Sequence, residues 1–182
     1  MSKKHTNQQA WWIGGGVVAI VVATFLFAWP RYTAAPTLTI EPAGAPSCDG
    51  CVARALDGVL VPAETANQQP IAVMIENHFD AWPQAGLDQA QLVYEAVTEG
   101  AVSRFVAIFA GDEVAEIGPV RSVRPYFVDW AEEVGALYAH SGGSDAGLAQ
   151  VRASRWIDDI NEFYHGRYFW RDRRLAAPHN LF

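Results

Sequence analysis

IGPVRSVRPYFVDW, residues 117–130, puts a turn, two arginines and the start of a helix into one short run. Gly118-Pro119 is a turn signal, and Pro125 has the fixed φ and missing N–H that suit the first residue of a helix. Ser122 is placed to cap that helix, expected over Tyr126–Val134, with its hydroxyl. Arg121 and Arg124 then stand at a helix N-terminus, where unpaired backbone N–H groups and the positive end of the dipole favour anions. Each guanidinium adds a rigid fork that matches a carboxylate or a phosphate. The partner of that fork is either an external anion or one of the chain's own acids, such as Glu95 or Glu99.

Upstream, the continuous apolar run Ile71–Ile75 reads as a buried strand and ends in Glu76-Asn77-His78. Strand ends are where open sheets present ligand groups. Trp82–Gly86 reads as a loop and Leu87–Gln91 as one helical turn. Leu92–Val97 and Ser103–Phe109 are strands joined across Thr98-Glu99-Gly100 in a hairpin. Downstream, Leu137–Ala139 is a fourth strand, Asp145–Ala153 a helix, and Trp156–Phe163 a second short helix. Strands mixed with helices and a hairpin define an α+β fold, a layered sheet with packed helices, over residues 69–182.

The loop His140-Ser141-Gly142-Gly143-Ser144 is the second candidate site. A strand, two glycines and a helix opening on Ser144 are the parts of a phosphate-cradling turn. Gly142 to Ala146 also matches Gly-x-Ser-x-Gly except at its last residue, so Ser144 is a candidate nucleophile. His78, His140 and His179 are the available bases, and Glu76, Glu95 and Asp159 the acids. Against this, Ser144 has a simple role as helix cap, and the glycines as turn formers. Glu76 and His78 invite a metal with His140 or His179, but no ligand spacing of a known kind supports one. The sequence therefore predicts neither a metal nor a cofactor. Trp170-Arg171-Asp172 resembles an aromatic–cation surface, although a Trp packed on the core with solvated arginines explains it as well.

The N-terminal part differs in character. Residues 10–29 carry no charge and are long enough to span a hydrocarbon core, with Trp11, Trp12 and Trp29 near the ends. Lys3 and Lys4 precede the run, which predicts residues 1–9 as a cytoplasmic tail, an uncleaved single-pass signal-anchor, and an extracytoplasmic domain. A cleaved signal peptide is the alternative, with an unusually long apolar core. Residues 30–68 read as a linker containing Cys48-Asp-Gly-Cys51 and a short edge segment running into Leu60-Val61. In an exported chain, with no second Cys pair to complete a zinc site, a local Cys48–Cys51 disulfide is expected. The formal net charge of −7 argues against a nucleic-acid partner.

Several motifs occur together in order: IAVMIENH (71–78), WPQAGL (82–87), VYEA and TEG (93–100), and SRF (103–105). IGPVRSVRPYF (117–127), HSGGS (140–144), FWRD (169–172) and APHNL (177–181) follow them. Through these the chain, from about Pro70 to Phe182, resembles the YerB-like family of bacterial exported proteins, a domain family of unknown function. The resemblance implies an α+β layered domain outside the membrane, usually followed by a C-terminal domain, in proteins that are often lipid-anchored. This chain departs in its predicted transmembrane anchor and in having no lipobox Cys. It stops just after the last motif, so a fragment lacking the C-terminal domain is expected. The family supplies no catalytic residues to carry over. The expected role is binding or regulation at the bacterial cell envelope. Arg121, Arg124, Glu76, Asn77 and the His140–Ser144 loop would meet an anionic cell-wall fragment or the acidic side chain of an envelope protein. The alternative from another class is an envelope hydrolase or transferase using Ser144 with a His base.

Overall fold

The computed structural model describes residues 48–182 apart from Asp112. The predicted tail, anchor and first part of the linker lie outside the described residues. Among the described residues no helix is long and apolar enough to cross a membrane.

The described chain opens with the disulfide Cys48–Cys51 and a two-stranded antiparallel ribbon, β1 (Cys51–Ala53) and β2 (Leu60–Pro62). The edge segment expected near Leu60 is thus half of a hairpin, whose other strand was not apparent in the sequence. Arg54 fastens this ribbon to the main body. Its Nε and Nη2 donate to the Asp57 carboxylate at 3.0 and 2.6 Å, and its Nη1 donates to the Ala110 carbonyl at 2.5 Å. The Arg54 hydrogen bonds hold the Asp57 carboxyl below its usual range.

The main sheet has five strands in the order β4 (Leu92–Val97), β5 (Ser103–Phe109), β3 (Ile71–Glu76), β6 (Leu137–His140), β7 (Asp158–Asn161). β4–β5 and β5–β3 are antiparallel, whereas β3–β6 and β6–β7 are parallel. The fold is mixed α+β. β3 is buried along most of its length because both of its faces are covered. On one face, Ala72, Met74, Val106 and Ile108 pack against Phe127, Val128 and Ala131 of α1 (Pro125–Glu133) and Val151 of α2 (Asp145–Ala153). On the other, Val73, Ile75, Ala107 and Phe109 pack against Val120 and Leu181. Each Val, Leu, Ile, Phe and Met side chain among these contributes about 1.5–3 kcal/mol by leaving water.

Two expectations are corrected. Pro125 does open α1, but the residue at the cap position is Arg124, and no side chain caps the helix. Ser122 instead gives its carbonyl to Arg104 Nη1 at 2.8 Å. The segment Trp156–Phe163 is not a helix. It contains strand β7, followed by the single turn α3 (Glu162–His165), because β6 supplies parallel hydrogen-bond partners that no local pattern announces. Trp170 is half-exposed and borders an apolar cavity of about 450 Å³ against Phe169 and Phe182.

Tyr138 on β6 is fully buried, and among the described residues its hydroxyl has no hydrogen-bond partner. Burial accordingly pushes its pKa well above the ordinary value of 10. An unpaired buried hydroxyl costs about 1–3 kcal/mol. Tyr138→Phe is therefore expected to raise stability by about 1 kcal/mol in denaturant unfolding. A loss of stability instead would mean that the hydroxyl has a partner.

Candidate functional site

The carboxyl ends of the parallel strands β3 and β6 diverge, and the run Pro119–Arg121 fills the gap. Glu76 N–H donates to the Pro119 carbonyl and Arg121 N–H to the Met74 carbonyl, both at 2.9 Å. On its other side the same segment meets the loop after β6. Ser141 N–H donates to the Arg121 carbonyl at 3.1 Å, Val123 N–H to Gly142 at 3.0 Å, and Ser144 N–H to Val123 at 3.2 Å. The two stretches singled out in the sequence therefore lie side by side, at the carboxyl ends of the sheet where α/β proteins bind ligands.

Glu76 is the hub. It is 4% exposed, with one carboxylate oxygen 3.1 Å from Arg121 Nε and the other 2.9 Å from His179 Nδ1. The Arg121 Nε–H does not line up with that oxygen, and among the described residues the Arg121 guanidinium makes no hydrogen bond. Arg124 is held differently. Its Nε and Nη2 form a two-point pair with both oxygens of Glu99, each at 2.7 Å. Arg104, which faces Glu76 across the β3–β5 ladder, is the third guanidinium of the group. Its pKa is lowered by burial and by the like charges of Arg124 and Arg121.

The Glu99 carboxyl is pulled from 4.5 to about 2, first by its hydrogen bonds with Arg124. A depressed carboxylate contributes stability above its unfolded pKa, and that stability fades as pH falls through the folded value. Because the Glu99 side chain is 68% exposed, the pair contributes less than about 1 kcal/mol. Glu99→Gln is expected to lower stability by that amount at pH 7. The difference from the parent should shrink between about pH 4.5 and pH 2. A pH-independent difference would mean that something other than this charge is lost.

The other predicted site residues are placed as follows. Asn77 donates to Glu95 and to Ser103 at 3.2 and 2.8 Å and accepts from Trp82 Nε1 and Gln84 at 2.9 and 3.0 Å. It pins the loop after β3. His140 is fully buried at the end of β6, with Nδ1 facing the Gly142 carbonyl and Nε2 facing Asp159, both at 2.9 Å. Gly142 has φ +59°, and its N–H donates to Asn161 Oδ1. A Cβ on Gly143 would run into Val123. The Ser144 hydroxyl accepts from Gly147 N–H at 3.1 Å, capping α2. The amides of Gly142 and Ser144 that a phosphate cradle would use are thus engaged by the chain. No His nitrogen is hydrogen-bonded to Ser144 among the described residues.

A further group lies beside Glu76. His78, Asp80 and His179 each bring a ligand-type atom within 4.8 Å of the others. Asp80 carried no signal in the sequence, and His179 approaches only through the hairpin that pairs Trp170 with Phe182.

Residues 56–182 match the N-terminal domain model of the DUF3048 proteins of unknown function. The chain belongs to the YerB-like family. It is 34% identical over 129 residues to YerB of Bacillus subtilis (strain 168), a candidate lipoprotein by its name. That match covers 70% of this chain and 38% of YerB. The crystal structure of B. subtilis YerB superposes with a TM-score of 0.65 at 35% identity, covering 69% of this chain and 43% of that one. This YerB-like chain thus spans about two-fifths of the length of the B. subtilis protein it matches.

Proposed function

We propose that this domain works outside the cytoplasmic membrane, held there by the anchor predicted over residues 10–29, as a binding or regulatory module of the cell envelope. Its ligand is an anion met by Arg121 and Arg124 beside the His140–Ser144 loop, a carboxylate-bearing wall fragment or a partner's acidic side chain. The observation that carries this is the Arg121 guanidinium. It is charge-paired with Glu76 yet makes no hydrogen bond among the described residues, so its fork is available. Arg124 adds a second fork whose partner, Glu99, sits on an exposed turn and can be replaced by an incoming carboxylate. The name of the B. subtilis relative supports a place at the membrane.

The test is a thermal-shift and calorimetric screen of the full chain with wall fragments, acidic peptides and sugar phosphates. A ligand that binds only the folded state must raise its melting temperature. Stabilisation by a carboxylate ligand that Arg121→Lys weakens and Arg121→Ala/Arg124→Ala abolishes supports the site. No shift with any ligand, alongside a large stability loss in the double variant, assigns the arginines to structure. The hydrolase alternative needs a base at Ser144, whose hydroxyl is committed to capping α2. Envelope hydrolysis abolished by Ser144→Ala would revive it.

A further inference from the structure

We propose that His78, Asp80 and His179 bind a divalent transition-metal ion of the zinc type, with Glu76 as the group that aims His179 at it. His78 stands at the head of the 3-10 turn Phe79–Ala81 and Asp80 lies within it, so the backbone of the turn brings the two together. His78 Nδ1 is 3.4 Å from Asp80 Oδ2, and His179 Nε2 is 3.9 Å from the same oxygen. Ligands at about 2.0–2.1 Å in a tetrahedron stand about 3.3–3.4 Å apart, so the first pair already has the spacing and the second must close by about 0.5 Å. Coordination through His78 Nδ1 would replace only its long 3.3 Å contact with the Asp80 N–H. Two imidazoles and a carboxylate are donors that such ions select, and three protein ligands leave a position open. Asp80 is half-exposed, which turns that position toward solvent.

Glu76 distinguishes this group from a surface ion pair. Its carboxylate faces His179 Nδ1 at 2.9 Å, so in the neutral ring that donates Nδ1–H to it, Nε2 is the nitrogen left to coordinate an ion beside Asp80. Metal-binding histidines are oriented in this way by a carboxylate behind them. Glu76 is itself buried and charge-balanced by Arg121, so it is fixed before any ion arrives. The His78 and His179 rings stack at 5.0 Å and 12°, and because each imidazole lone pair lies in its ring plane, one ring must turn for both to meet the same ion.

The experiment titrates Zn²⁺ into the full chain by calorimetry and uses Co²⁺ as a spectroscopic probe of coordination geometry. One ion should bind per chain, with Co²⁺ absorption bands of a low-coordinate nitrogen–oxygen site. Asp80→Asn and His179→Gln should each weaken binding at least tenfold, and Glu76→Gln by about 10–100-fold without changing the stoichiometry. His165→Ala on α3 should leave it unchanged. Asp80 lies at the surface, so its variant keeps the fold and a null result there is decisive. Absence of binding, or binding that survives both Asp80→Asn and His179→Gln, overturns the site.

Discussion

Glu76→Ala is expected to lower the stability of the domain by about 3–5 kcal/mol at neutral pH, read as a shift in denaturant midpoint at constant m-value. The carboxylate is almost fully enclosed and faces Arg121 on one side and His179 on the other. Removing it leaves a guanidinium and an imidazole opposed across a cavity that neither can fill. The cost therefore exceeds the net contribution of the pair itself, because the partly buried Arg121 charge is left without its partner. Arg121→Ala should cost less, since Arg121 is a quarter exposed and Glu76 keeps His179. The double variant should be less destabilised than the sum of the single ones, as required for groups in contact. A loss under about 1 kcal/mol for Glu76→Ala would mean that the side chain reaches water in solution.

Phe127→Ala should be as damaging, at about 3–5 kcal/mol, through packing rather than charge. Phe127 is fully buried, with its ring 4.7 Å from Tyr126 and 5.5 Å from Trp130. Trp130 in turn stacks on Tyr94 of β4 at 4.8 Å. Truncation opens a void bounded by a helix and a sheet that cannot collapse together without disturbing this aromatic series. Near-ultraviolet dichroism of the tryptophans should change along with the unfolding midpoint. Phe127→Leu, which keeps most of the volume, should recover more than half of the loss.

What the sequence disclosed was whatever local chemistry decides. β4 and β5 alternate or run apolar, and their observed limits, Leu92–Val97 and Ser103–Phe109, coincide with those expected. The helix Asp145–Ala153 was equally legible because Ser144 marks its start. β7 was not. Asp158 and Asp159 are poor strand formers, and they join the sheet only because β6 offers an open edge. The Ser122 cap failed because the helix opens at Pro125 with Arg124 in the cap position, two residues beyond Ser122. At the site, residue types drew attention to Glu76, Arg121 and Arg124 but did not say which acid each arginine would meet. The sequence offered Glu99 among the candidate acids for the arginines, while the pairing of Glu76 with His179 spans 103 positions and depends on the whole fold. Asp80, in a loop with no periodicity, had no pattern to betray it.

The segment Pro119–Arg121 between β3 and β6 also imposes an order of assembly. The hairpin β4–β5 is closed by the short connection Thr98–Val102 and can form early, because closing a short loop costs little entropy. The segment is held on both sides only once β6 has docked beside β3, because Ser141 in the loop after β6 donates to the Arg121 carbonyl. Only on a seated segment can Leu181 accept its hydrogen bond from Val120 at 2.7 Å, which brings His179 to Glu76. The cluster around Glu76 is therefore complete only when sheet, segment and C-terminal hairpin are all in place. A chain stalled at the hairpin would present strand edges and apolar surface, but none of the chemistry by which the finished domain would be recognised.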